Sequence, residues 1–360
     1  MIRLLKFSEF LYYFHLTGRF NTMMITIQAD GHGDYPGIGA ALEAIAQKRS
    51  KDPQTMEKNC DSTGLQPHDV IFLKNGIYRE RVAIDLPFIT LAGESADGVV
   101  ITGGLYAKMP SDDIGKLGTF RTYSFFVDSH DFTARNITFE NAAGPGPEVG
   151  QALAVYADGD RLTFENCRFL AGQDTLFTAP LPPKEIEPNG FVGPGQSRPR
   201  TPGRHYYKNC YFEGDVDFIF GGATAYFEAC EFFSKDIGQP INGYVTAAST
   251  PEGQEYGYVM DHCRFTGSCP RHTVYLGRPW REYAKVVLLN CEIGEHICEE
   301  GWHDWNKPQA HTTTYFAEYQ NYGPSSDPAN RPTWVHQLTK EQTTRYQRHL
   351  VLRGNDNWNP

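Results

Sequence analysis

Asn166-Cys167-Arg168-Phe169 returns as Asn209-Cys210-Tyr211-Phe212, as Ala229-Cys230-Glu231-Phe232, as His262-Cys263-Arg264-Phe265 and as Asn290-Cys291-Glu292-Ile293. Asn136-Ile137-Thr138-Phe139 is an earlier copy with Ile in the Cys place. Successive copies start 30, 43, 20, 33 and 28 residues apart. One short frame recurring on that scale is the mark of a solenoid, and strand-like units separated by loops of varied length point to a parallel β-helix. Each copy alternates a small or apolar residue with polar ones, as a strand with one inward face does. Stacked coil on coil, the inward Cys would form a ladder, for which a small and mildly apolar side chain is suited. Unrelated strands of a sandwich would have no reason to repeat the frame.

The composition agrees. Among 360 residues are 35 Gly, 20 Tyr and 23 Phe, which fits short strands joined by turns. Charged residues make up 21 % and the net charge is −10. An acidic chain is a poor general nucleic-acid binder. It is also a less natural partner for a fully charged polyanion than for a neutralised one, although a local basic groove can sit on an acidic protein. No apolar run is long enough to span a bilayer. Residues 1–23 carry apolar content, but Lys6, Glu9, His15 and Arg19 interrupt what would be the core of a leader. They are expected to be an N-terminal extension outside the fold, with 24–360 as one domain.

The cysteines lack the close spacing of a zinc site and any paired disulfide framework. An inward row of thiols is packing. Cys60, Cys269 and Cys298 stand outside the frame, and pairing among them stays open. Free thiols without a convincing leader favour a cytoplasmic location, with secretion as the alternative.

Two copies carry a carboxylate at the same offset. Asp174 follows Cys167 by seven residues, and Asp217 follows Cys210 by seven. In successive coils the two would stand one above the other, roughly 4.8 Å apart. Two carboxylates that close do not both ionise readily, so one becomes an acid while the other stays anionic. Leu176-Phe177 and Phe218-Ile219-Phe220 would bury the pair, which a pair of surface turns would not need. Gln173 precedes Asp174, and Gln151 lies 22 residues earlier, about one coil away. Their amides could hold an oxyanion or simply form an inward stack. In Tyr275-Leu276-Gly277-Arg278-Pro279-Trp280, a rigid turn presents an Arg that could pin one carboxylate and a Trp that offers a face to a sugar ring.

In order and combination these residues resemble the pectin methylesterase (pectinesterase) family. The resemblance runs from Ile25 to about Leu338. It opens on Gln28-Ala29-Asp30-Gly31-His32-Gly33-Asp34-Tyr35 and the helix-like stretch from Ala40 to Ala46, followed by Gly76-Ile77-Tyr78-Arg79-Glu80. It continues through Gln151-Ala152-Leu153-Ala154, Gly172-Gln173-Asp174-Thr175-Leu176, Val216-Asp217-Phe218-Ile219-Phe220-Gly221, Leu276-Gly277-Arg278-Pro279-Trp280 and Glu318-Tyr319-Gln320-Asn321. The resemblance implies an all-β fold, a right-handed single-stranded parallel β-helix with short peripheral helices. It implies hydrolysis of the C6 methyl esters of galacturonate in pectin or methylated oligogalacturonides, by a monomer without metal or organic cofactor, nucleic acid or membrane. By the same resemblance Asp217 is nucleophile, Asp174 acid then base, Gln151 and Gln173 oxyanion donors, and Arg278 the anchor of Asp217. Thr119, Phe220 and Trp280 fall where the family contacts substrate. Two positions depart from the family pattern: Ala248 stands where Gln is frequent, and Tyr156 where Arg is frequent. A Pro/Gly-rich insertion, roughly 178–204, separates the two catalytic coils and is expected to wall the groove and favour short oligomers. The rival functions are a glycoside hydrolase on the same scaffold, an esterase or thioesterase with another acyl substrate, and a binding solenoid without turnover. Residues after Leu338 suggest no function.

Overall fold

The computed structural model describes residues 23–51 and 68–360. Strand-length apolar segments coil into three rows of parallel strands, as expected for a β-helix; parallel crossovers of this kind wind right-handed. The first row runs through eleven strands, from Met24–Ile27 and Asp69–Leu73 to Tyr315–Tyr319 and His336–Gln337. The second has eight, from Gly76–Tyr78 to Glu292–Ile293. The third carries Leu176–Thr178, Val216–Gly221, Gly243–Ala248 and Val274–Gly277. Two long strands, Phe125–Arg135 and Val155–Glu165, bend from the third row into the first.

The repeated frame is a corner followed by a strand. Its first residue is left-handed in every copy: Asn136, Asn166, Asn209, Ala229, His262 and Asn290 have φ between 50° and 55°. Asn tolerates that conformation best among non-glycines, which accounts for its recurrence. The Cys comes next, in the corner and just before the strand. Cys210 Sγ donates to Lys208 O and to Phe164 O of the coil below, each at 3.4 Å. Cys230, Cys263 and Cys291 repeat the arrangement. The expected inward ladder is present, with these thiols almost fully buried.

The fourth position builds a second ladder. Phe139 leans on Phe169 at 5.6 Å between centroids, and Phe169, Phe212, Phe232 and Phe265 stack at 4.6, 5.1 and 5.3 Å. Phe164, Tyr207 and Phe227 stack beside them from the first row. Each buries an aromatic side chain worth roughly 1.5–3 kcal/mol of transfer free energy, and the rings lock the register between coils.

The helix Ile38–Lys51 caps the N-terminal end, burying Ile38, Ala41, Leu42 and Ile45. Met23 is already tied in, since its carbonyl accepts from Val70 N at 2.8 Å. The remainder of the expected extension, and Cys60, lie outside the described residues. Beyond Leu338 the chain turns back along the outer side of the first row. There Tyr346, Val351 and Leu352 pack on Tyr206 and Tyr226, and Arg204 pairs with Asp160 and Asp356.

Candidate active site

Phe169 pairs with Phe212 in the second row, and Leu176 with Ile219 in the third. Both pairings keep one offset, so the intervening turns superpose and Asp174 stands over Asp217. Both aspartates are in the left-handed region, with φ of 64° and 52°. Asp217 also lies where Val216–Gly221 slips register against the next coil, a bulge between Val216 and Ile219. Strained backbone and bulges are devices for aiming a side chain at a site. Each carboxylate is less than one-tenth exposed.

Their environments differ. Arg278 follows the strand Val274–Gly277 and gives Asp217 a two-point grip, Nε to Oδ1 at 2.8 Å and Nη2 to Oδ2 at 2.7 Å. The guanidinium is itself clamped between Tyr244 and Trp305, 3.7 and 3.6 Å from their ring centroids. Burial raises both aspartates above the usual carboxylate range. For Asp217 the Arg278 guanidinium opposes that rise. Among the described residues no cation is bonded to Asp174, which faces Asp217, so burial and then the neighbouring carboxylate drive it well above the ordinary value. Of the two, Asp174 is the one driven further toward holding its proton, and Asp217 is the one whose anion a cation supports.

Gln151 and Gln173 are bridged as parallel neighbours on adjacent coils, with Ala152 N donating to Gln173 O at 3.0 Å. Asp215, fully buried, accepts from Gly146 N at 3.0 Å and Val216 N at 2.6 Å. It fastens the segment leading to Gln151 onto the turn that carries Asp217. Asp215, two residues before Asp217, was not singled out from the sequence.

These groups open into a cleft of about 740 Å³ lined by all eight residues singled out from the sequence: Thr119, Gln151, Gln173, Asp174, Asp217, Phe220, Arg278 and Trp280. Trp305 also lines it, on a turn where Trp305 and Asn306 are both left-handed. His303 Nδ1 and Asp304 Oδ1 hold that turn by accepting from Trp305 N and Asn306 N. The insertion supplies one wall through residues 186–191. Its Phe191 meets Phe120 and Trp280 edge-on, at 5.8 and 6.4 Å. Arg198 pairs with Asp128 at its far end. Tyr156, the departure from the family pattern, packs beneath the insertion; a Cβ at Gly195 would fall 2.0 Å from its hydroxyl, so only glycine fits there. Ala248 is buried and accepts from Trp280 N at 3.0 Å. Among the described residues there is no cluster of three or more His, Cys, Asp or Glu that could hold a metal, and no helix long and apolar enough to cross a membrane.

The pectinesterase family model matches residues 24–181 and 201–355, breaking off within the insertion. Pectinesterase 31 of Arabidopsis thaliana is 33 % identical over 338 residues, covering 92 % of each chain. Several other plant relatives are longer, and the chain spans about half their length. Pectin methylesterase from carrot superposes with a TM-score of 0.72 at 28 % identity, covering 92 % of this chain and 93 % of that one. A pectin methylesterase in complex with a hexasaccharide gives 0.69 at 26 %, covering 95 % and 98 %. The plant relatives are enzymes of a cell-wall polymer, which overturns the cytoplasmic location expected from the unpaired thiols. The physical reason is the ladder: thiols sealed in coil corners are packing groups, inaccessible to oxidants, and report nothing about the redox compartment. With the family model matched over residues 24–181 and 201–355, and the fold shared over 92 % of the chain, the chain belongs to the pectinesterase family.

Proposed function

We propose that the chain hydrolyses the C6 methyl esters of galacturonate units in pectin or methylated oligogalacturonides, releasing methanol, with Asp217 as nucleophile. The observation that carries this is the asymmetry of the stacked aspartates: Arg278 grips one with two hydrogen bonds, while burial and the neighbouring carboxylate push the other toward holding its proton. Asp217 attacks the ester carbonyl carbon. The oxyanion takes amide donors from Gln151 and Gln173. Collapse expels methoxide, which takes the Asp174 proton and leaves as methanol. Asp174, now a carboxylate, removes a proton from the water that attacks the anhydride. The uronate departs, Asp217 is regenerated and Asp174 is protonated again.

A hexasaccharide bound to a family member supports a sugar chain lying in the corresponding cleft, with Thr119, Phe220 and Trp280 as its contacts here. The first row of strands continues unbroken from Met24–Ile27 to His336–Gln337, which supports 24–360 as one catalytic unit. The insertion wall supports a preference for short oligomers. A retaining glycosidase would also use two close carboxylates, but it has no need of two amides beside them. Methanol release and new reducing ends, assayed on the same pectin, separate the two. Methanol without chain scission supports the esterase; reducing ends without methanol would replace it.

A further inference from the structure

We propose that His303 is a positioning residue for the Asp217–Arg278 pair: as a neutral imidazole it holds the turn that lays Trp305 on the Arg278 guanidinium, and a proton gained at Nδ1 releases that turn. The inference rests on the esterase function and adds a control on the partner of its nucleophile.

Trp305 and Asn306 take φ of 56° and 54°. For a side chain as bulky as Trp that conformation is an outlier, and it persists only where neighbours impose it. Two consecutive side chains impose it here. His303 Nδ1 accepts from Trp305 N at 3.0 Å, and Asp304 Oδ1 accepts from Asn306 N at 2.8 Å. Each is bonded to the amide two residues on, the way Asn and Asp brace a turn. Asp304 Oδ2 lies 3.0 Å from Nε2 of His311, which stacks on Trp334, and Lys307 Nζ donates to Pro279 O at 2.9 Å. The far side of the turn is thereby tied down, and His303 supplies the hold on the Trp305 amide itself. From there two contacts reach the nucleophile. Trp305 covers one face of the guanidinium at 3.6 Å, and the guanidinium grips both oxygens of Asp217.

A backbone N–H donates only to a bare ring nitrogen, so Nδ1 carries no proton and His303 is neutral. Protonation would set a donor at Nδ1 against the donor on Trp305. Among the described residues, the charged and titratable groups facing the imidazole are Asp304 on its own turn, Arg278, and Tyr244 and Tyr275, whose ring centroids lie 5.7 and 5.1 Å away. Burial raises both phenols, Tyr275 to about 12, so they stay neutral. Burial lowers the proton affinity of His303, with Asp304 opposing and Arg278 adding to the effect. The folded turn therefore favours the neutral ring. Its hold is fully present above the ordinary imidazole value and is lost as pH falls through that value toward the lowered one.

The test compares wild type with His303→Asn and His303→Phe, at pH values where all three stay folded by circular dichroism. Asn offers Oδ1 at the same place along the side chain and does not titrate; Phe keeps a ring and offers no acceptor. The first readout is hydrogen exchange of the Trp305 amide by NMR, taken as a ratio to His303→Asn at each pH so that the intrinsic dependence cancels. The proposal predicts that wild type matches Asn at neutral pH and exchanges about three- to tenfold faster than Asn in acid. Phe should be faster by that factor at every pH, the size of one neutral hydrogen bond. The second readout is the pH profile of methanol release from methyl-esterified pectin. Phe should move the rising limb to higher pH, with kcat lowered more than KM is raised, and Asn should restore both at neutral pH. Exchange that is alike in Phe and Asn, or a Phe profile scaled down with its rising limb unmoved, would make His303 a packing residue and overturn the proposal. If wild type releases no methanol while exchange follows the acceptor as predicted, the esterase function fails and the hold of His303 on Trp305 stands.

Discussion

Replacing Arg278 with Met removes the cation and keeps much of the volume. The pair it breaks is short and two-pronged, and both side chains are mostly buried, 15 % and 9 % exposed. Removing one partner from a buried ion pair costs about 3–5 kcal/mol, because the other charge is left uncompensated. Asp217 meets that cost by holding its proton, and a protonated carboxyl is no nucleophile. At about 1.4 kcal/mol per decade, kcat/KM at neutral pH should fall by about a hundred- to several-thousandfold. The signature is in the pH profile. In the proposed mechanism activity needs Asp217 ionised and Asp174 protonated, so kcat/KM should rise with pH as Asp217 ionises and fall as Asp174 loses its proton. Without Arg278 the rising limb should move to higher pH and part of the loss should be recovered there. Arg278→Lys, which keeps the charge but neither the fork nor the clamp of Tyr244 and Trp305, should fall between. A uniform loss with the rising limb unmoved would refute the assignment of Arg278 as the group that keeps Asp217 anionic.

Asp174→Asn should abolish turnover yet stabilise the fold. The folded Asp174 binds its proton more tightly than the unfolded one. The stability this confers is fully present below the unfolded carboxylate value and is lost as pH rises through the raised folded one. The variant should therefore unfold at higher temperature than wild type at neutral pH, with the gap closing in acid. Phe212→Ala, which interrupts the ring ladder between Phe169 and Phe232, should cost about 3–5 kcal/mol in denaturant unfolding. The thiols of Cys167, Cys210, Cys230, Cys263 and Cys291 should resist a thiol reagent in the native state and react once the chain is unfolded. Shortening the insertion between Pro182 and Gln196 should raise activity on long pectin relative to short oligomers; an unchanged ratio would remove it as a length selector.

The rows of the fold were legible because the Asn-Cys-x-Phe frame, exact or varied, marks one corner of six successive coils. The stacking of Asp174 on Asp217 was legible because no insertion falls between Cys and Asp in either coil. The frame's mechanism was less visible: it looks like a strand, whereas its Asn is a left-handed corner and its Cys precedes the strand. Tyr244 and Trp305 were not found, since they clamp Arg278 from 34 residues before it and 27 after it, and neither lies in a distinctive local motif. The docking of the insertion depends on Arg198, Phe191 and Gly195 meeting Asp128, Trp280 and Tyr156, partners that only the coiled chain brings near. Compartment was misjudged because thiols already read as inward packing were still weighed, with the interrupted leader, as a report on the redox environment.

The most direct test of the central claim is methanol release from highly methyl-esterified pectin by wild type and by Asp217→Asn, with the folding of both confirmed. The account predicts steady methanol from wild type and a loss of at least about a thousandfold in the variant, since the amide cannot form the anhydride. Methanol release by the variant at a rate near that of wild type would contradict Asp217 as the nucleophile.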